Sequence, residues 1–238
     1  MAISESSRAK LSWLLLESFL VVASILLAFW IDAWWDQRKD RIKEYEILIG
    51  LEAEFVDVKT RLEYWASRNA RGIGGIGKFL SGVDPETDRR AVEYAFESAS
   101  IANILDRGGA VDALIFSGRL EQIGDRDLRT LLIKWPDWID DIASNDLSAR
   151  RFAMDQIQPY LARHGFPGVD CPEGRLVCAE PGPVPTAYLA LAADPEFRAL
   201  LMLRRNWLRG AVRDHNNAAN QAEEILSLIR KRLETIAD

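Results

Sequence analysis

Two cysteines, two histidines and three methionines are the whole stock of thiol, imidazole and thioether groups in this chain of 238 residues. So sparse a set excludes a zinc cluster and a disulfide-dense secreted scaffold. Basic residues are also in the minority: 30 Lys and Arg stand against 36 Asp and Glu, a net charge of −6. A general nucleic-acid binder needs the opposite sign to displace counterions from phosphate, so no nucleic acid is expected as a partner. The signatures HExxH and GxSxG are missing, and no catalytic residue, cofactor or metal site is expected. What the chain does not lack is apolar residues, at 48%. It is therefore long and oily enough to fold into one good-sized domain or two small ones.

The apolar residues are concentrated near the N-terminus. Residues 11–31 read LSWLLLESFLVVASILLAFWI, with Glu17 as the single formal charge. As a helix this run is about 31 Å long, which matches the ~30 Å hydrocarbon core of a bilayer. Trp13 stands near one end, and Trp30, Trp34 and Trp35 near the other, where indole rings prefer the headgroup boundary. A cleaved signal peptide would have a shorter apolar core followed by small residues; here the exit is Trp-Ile-Asp-Ala-Trp-Trp. The expectation is an uncleaved single-pass anchor in the lipid bilayer. Glu17, Val21, Ser24, Ala28 and Asp32 share one helical face. Ser24 and Ala28 form a small-xxx-small pair, which lets backbones approach closely in lipid. This face is the candidate contact with a second copy of the chain or with another membrane protein.

Sidedness rests on two opposed signals. Four basic residues, Arg38, Lys39, Arg41 and Lys43, follow the span, against Arg8 and Lys10 before it; this favours a cytoplasmic C-terminal part. Cys171 and Cys178 flank a Pro-Glu-Gly turn, and a disulfide between them would belong to an oxidising compartment. Two reduced thiols or half a metal site are the other readings. The cysteine pair is given the greater weight, which makes the C-terminal domain extracytoplasmic.

Beyond the membrane the pattern stays helical. Leu48, Leu51, Phe55, Val58, Leu62 and Trp65 recur at steps of three and four, and so do Leu208, Val212, His215, Ala219, Ala222, Leu226, Ile229, Leu233 and Ile236. Two such seams need apolar partners, and pairing them with each other as an antiparallel hairpin is the economical solution; association between copies is the rival. The expected organisation is an N-terminal tail (1–10), a transmembrane helix (11–31), a stalk helix (36–71), a helical head (72–164), a Pro-rich loop with the cysteine pair (165–186) and a long C-terminal helix (194–238). The fold class is all-α.

Several features of the middle imitate chemistry. Gly72, Gly77 and Lys78 fit G-x-x-x-x-G-K, but Phe79 replaces the magnesium-binding Ser or Thr, and a heptad helix precedes the motif where a strand is required. A helix break or flexible joint is expected there instead. Asp125 is placed as a helix cap, Pro136 as a kink or restart, and Ser144 or Asn145 as the cap of a further helix. His164 and His215 are structural candidates, with His215 on the apolar seam. Asp137, Asp140 and Asp141 form an acidic face with no second ligand set.

The run Leu27-Ala-Phe-Trp-Ile-Asp-Ala-Trp34 with the following Arg38-Lys-Asp-Arg41 resembles the N-terminus of a family of uncharacterised bacterial single-pass membrane proteins. In that family an aliphatic run leads into Ile-Asn-x-Trp-Asn and a basic-acidic helix; here Asp32 and Trp35 replace the two Asn. Residues 111–123 and Asp127-Leu-Arg129 are similar to its second recurring patch. With the apolar span and its internal Glu17, which belong to the first patch, the two cover roughly a fifth to a quarter of the chain. The resemblance implies a membrane-anchored, mostly helical bacterial protein and assigns it no particular activity; the expected location is the bacterial inner membrane. With the seams and the packing face, it points to a structural or interaction subunit, oligomeric in character. A tethered sensor with a pocket under the 165–186 loop, or an accessory subunit of a membrane complex, is the alternative.

Overall fold

The computed structural model of the chain describes residues 5–100, 109–164, 184 and 186–237. All regular elements among them are helical: α1 (Glu5–Ser81), α2 (Arg89–Ser100), α3 (Ala110–Phe116), a 3-10 turn (Arg119–Gln122), α4 (Arg126–Phe152), a π turn (Ala153–Ile157), α5 (Gln158–Arg163), α6 (Thr186–Ala193) and α7 (Pro195–Ala237). The cysteine pair Cys171 and Cys178, with most of the 165–186 loop, lies outside the described residues.

α1 is a single rod of 77 residues, about 115 Å at 1.5 Å per residue. No proline interrupts it before Pro85. It ends where Gly82 takes a φ of +130°, a conformation that costs other residues dearly. The stalk therefore does not stop at residue 71. The glycine-rich segment is helical throughout, and the expected joint is absent for a steric reason. A Cβ on Gly75 would lie 2.6 Å from the Ala91 carbonyl oxygen and 2.8 Å from the Ala95 nitrogen; one on Gly72 would lie 2.4 Å from the Ser98 Cβ. These two glycines are the surface on which α2 sits, not a hinge.

α7 is capped as the sequence implies: Asp194 Oδ1 accepts from the backbone N–H of Glu196 at 2.8 Å and of Phe197 at 3.1 Å. The helix then runs back along α1. Arg198 donates to the Leu80 carbonyl, Lys59 meets Glu223, and Arg232 meets Glu44, a descending register that defines an antiparallel pair. Leu48, Leu51, Phe55, Val58 and Leu62 are buried against Ala219, Ala222, Leu226 and Ile229. Trp65 is only half-buried, and Ala66 takes the inward position.

α4 is the third long member. Asp125 caps it by accepting from Asp127 and Leu128 N–H at 2.9 Å each. It continues past Pro136, and past Ser144 and Asn145 as well, so the expected restart at those residues does not occur. Helix-favouring context and burial of Ile142, Asp146 and Ala149 along one face override the capping preference of Ser and Asn. The wider π turn that follows stands just ahead of Pro159, whose ring has no N–H to give the preceding turn.

The interior divides into two apolar clusters. The proximal one, nearer the apolar end of α1, joins α1, α3, α4 and α7 around Phe55 and Trp135, whose ring centroids are 5.0 Å apart. The distal one gathers Phe79, Phe96, Tyr160, Tyr188 and Phe197 from α1, α2, α5, α6 and α7. Between them a polar layer crosses the bundle. Buried Asn69 lies between Leu62 and Ile76 on α1, Asp146 between Ile142 and Ala149 on α4, and His215 between Leu208 and Ala218 on α7. Arg204 adjoins it, 2% exposed, donating to the Ser98 and Ala149 carbonyls.

Candidate membrane and partner interface

The first part of α1 differs from everything else in the molecule. From Glu17 to Lys43 nearly every described residue is exposed, including Phe19 (68%), Leu26 (62%), Phe29 (67%) and Trp30 (66%). Among the described residues, α1 is the one helix long and apolar enough to cross a membrane, and its most apolar stretch is not buried at all. An apolar helix with no polar side has no place at a water boundary, because burial removes roughly 25 cal/mol per Å² of unfavourable contact. Glu17, Val21, Ser24, Ala28 and Asp32 all belong to this part, and none packs against the rest of the chain; Val21 and Ser24 are exposed like their neighbours, except that Ala23 beside them is half-buried. Ser24 Oγ donates to the Leu20 carbonyl at 2.7 Å, so its hydroxyl is satisfied within the helix.

Where the apolar run ends, aromatic and basic side chains take over. Arg38 lies over the Trp34 ring and Lys39 over the Trp35 ring, each 5.8 Å from the centroid. The lysines are neutralised within the helix, Lys39 by Asp36 at 3.4 Å and Lys43 by Asp40 at 3.2 Å. One turn further, the tip of α7 arrives and is clamped. Glu44 accepts from Arg232 Nε and Nη2 at 2.8 Å each, and from the Gly124 backbone N–H at 2.6 Å. Burial pushes this carboxyl up, but the Arg232 hydrogen bonds, the Gly124 N–H and the Arg232 charge outweigh it, and Glu44 titrates below its ordinary range. A side chain at Gly124 would strike Arg232, since its Cβ would lie 2.5 Å from Nη2. Three segments distant in sequence are thus tied at the base of the bundle.

A second surface lies on the side of the bundle. A groove of about 330 Å³ runs between α4 and α7, with Asn145, Leu203, Trp207 and Gly210 on its walls. Leu203 is 51% exposed and Trp207 39%. Asp146 forms part of its floor and meets His215 Nε2 at 3.1 Å, while His215 Nδ1 is buried without a hydrogen-bond partner. Burial lowers the Arg204 guanidinium to about 10 and the Asp146 charge opposes that shift. Each charge here is held by groups on another helix, which specifies register, because a slip of one turn would bury it unpaired.

The remaining sequence candidates fall into structural roles. His164 ends α5, stacked on Tyr160 at 4.1 Å with Nδ1 2.9 Å from the Tyr160 carbonyl. Asp137, Asp140 and Asp141 are exposed on α4, and no group of three His, Cys, Asp or Glu side chains suited to a metal ion occurs among the described residues. Lys78, the would-be phosphate lysine, pairs with Asp88 at 3.2 Å. The Glu44 clamp and the polar layer were not foreseen from sequence, since both join positions far apart along the chain. Comparison with protein-family models, curated proteins and solved structures finds no match for this chain.

Proposed function

We propose that this chain is a non-enzymatic, single-pass membrane protein that acts as a structural or interaction subunit, holding a helical bundle at the membrane surface and assembling with copies of itself or with another membrane protein. The observation that carries this reading is the continuity of α1, which passes without a break from an uncovered apolar stretch into the buried seam of the bundle. Motion of the anchor is thereby coupled to the bundle without a hinge. Glu17, exposed on the intramembrane part, is a group that a partner helix would relieve, since a carboxylate within the bilayer costs up to ~3 kcal/mol. The cysteine pair and the family resemblance favour the bacterial inner membrane with the bundle on its extracytoplasmic side.

Alkaline carbonate extraction of membranes tests the anchor: the full-length chain should stay in the pellet with its N-terminus intact by mass spectrometry. Release into the supernatant, or loss of the first thirty or so residues, overturns it. Crosslinking through Ser24→Cys in native membranes tests the contact face, and a self-crosslinked dimer separates self-assembly from a foreign partner. Labelling of Cys171 and Cys178 by an impermeant thiol reagent in intact cells, with and without reductant, reports sidedness. A ligand-binding role is the second reading, favoured by the groove between α4 and α7; a small molecule retained through purification would support it.

A further inference from the structure

Of the four basic residues that follow the apolar run, two differ from the others. Lys39 and Lys43 each have an aspartate three residues earlier within ion-pair distance. Arg38 and Arg41 have no carboxylate within 4.0 Å among the described residues, and both line a groove of about 340 Å³ between α1 and the end of α7. Its other walls are Trp34, Ile42, Tyr45 and Ile236. The groove thus presents two guanidinium groups without a carboxylate partner, Arg38 resting over the Trp34 ring, and no acid on its walls, framed by apolar and aromatic surface within a few turns of Ile31. Because helical side chains lean toward the N-terminus, both arginines are directed back toward the bilayer. Arg38 lies about 10 Å beyond Ile31 along the axis, at headgroup depth, and Arg41 about 15 Å beyond it, within reach by snorkelling.

From this we propose that the groove binds the phosphate of an anionic phospholipid, with Arg38 and Arg41 as the phosphate donors and Trp34, Ile42 and Ile236 against the glycerol and upper acyl chain. Planar guanidinium groups match phosphate oxygens in a bidentate manner that an ammonium does not. The apolar wall selects a lipid over free phosphate, which could use only the charges. A bound lipid would bridge α1 and the tip of α7 beside the Glu44–Arg232 clamp, fastening the base of the bundle to the headgroup layer. The inference rests on the membrane-anchor reading of α1.

The test is a titration of the detergent-solubilised full chain with short-chain phosphatidylglycerol, phosphatidylcholine and inorganic phosphate, read by thermophoresis. Phosphatidylglycerol should bind, and Arg38→Gln/Arg41→Gln should weaken it roughly thirtyfold, two basic residues each supplying about a fivefold step. Lys39→Gln/Lys43→Gln should change affinity less than twofold, and Arg38→Lys/Arg41→Lys should restore only part of the loss. All four side chains are exposed, so circular dichroism should report the same helical content in each variant. An unchanged affinity in the arginine variant, an equal loss in the lysine variant, or equal binding of inorganic phosphate overturns the site. Flotation with phosphatidylcholine vesicles separates the two levels: a chain that floats but shows no arginine dependence loses only the lipid site, and a chain that does not float loses the anchor as well.

Discussion

The two halves of α1 are one helix with two kinds of surface. The described residues from 17 to 43 are nearly all exposed, and as far as Ile31 apolar side chains dominate every side, whereas residues 44–79 bury one stripe and turn charge outward. Backbone geometry is the same in both. What differs is the far face: Phe19, Leu26 and Phe29 have apolar neighbours on every side, while Leu51, Phe55 and Leu62 are backed by Lys59, Arg61 and Glu63. A helix that is apolar on all sides is suited to lipid, and one with a single stripe is suited to another helix. The change between them takes less than two turns, through Asp36, Arg38, Lys39 and Asp40.

The contrast can be broken most forcefully at Phe55, which is 1% exposed and packed on Trp135. Phe55→Ala should cost about 4 kcal/mol, the transfer of the ring together with the cavity it leaves. Leu26→Ala, in the uncovered half, should stay within about 0.5 kcal/mol in the same measurement, denaturation of the solubilised chain followed by circular dichroism. Similar losses at both positions would mean that the apolar half is also covered by protein within one chain. Next in size is the polar layer. Asp146→Ala removes the carboxylate that faces His215 and supports the Arg204 charge, and should cost about 3 kcal/mol. A neutral outcome would show that these groups are dispensable to the register of α4 on α7.

Adjacent glycines sharpen the comparison within the buried half itself. Gly75→Val should destabilise by about 2 kcal/mol, because its side chain meets the α2 backbone and neither partner can yield. A Cβ on Gly74, one residue away, would meet nothing within 4 Å. Gly74→Ala should therefore stabilise the helix by roughly 0.5–1 kcal/mol, the ordinary difference in helix propensity. Opposite signs at neighbouring positions are the mark of a packing glycine beside an idle one; a loss at both would restore the idea of a required joint.

Sequence reasoning reached the long elements because they repeat. The steps of three and four through Leu48 to Leu62 and Leu208 to Ile236 identify both partners of the hairpin, and Asp125 and Asp194 mark their helices by capping chemistry. It failed at the glycine-rich segment because Gly72 and Gly75 look the same in sequence whether they release a helix or admit a neighbour. Only the position of α2 distinguishes the two. The restart at Ser144 or Asn145 failed similarly, since cap propensity is weak against burial on a continuous face. Glu44, Gly124 and Arg232 carried no local signal: one lies next to the stalk's apolar stripe, one in the link between the 3-10 turn and α4, and one among the charges of α7.

Glu44 yields the most specific prediction, because it stands where the uncovered half gives way to the buried one. Its carboxyl titrates below the ordinary range in the folded chain, so the folded state prefers it ionised. The stabilisation is then complete above the unfolded value, near pH 4.3, and is lost as pH falls through the lower folded value. Glu44→Gln keeps an acceptor for Gly124 but removes the charge that Arg232 requires, and should lower stability by about 1 kcal/mol at neutral pH. Asp84, held low by the Glu86 N–H and the Thr87 side chain, and Asp194, held low by Tyr160 and the Phe197 N–H, contribute to acid sensitivity in both proteins alike. The difference between wild type and Glu44→Gln therefore isolates the clamp. Melting of both from pH 7 to pH 3 should give a constant gap above about pH 5 that narrows below about pH 4. A gap that widened with acid would mean that Glu44 is held in its protonated form, and the α1–α7 base would then owe nothing to the Arg232 charge.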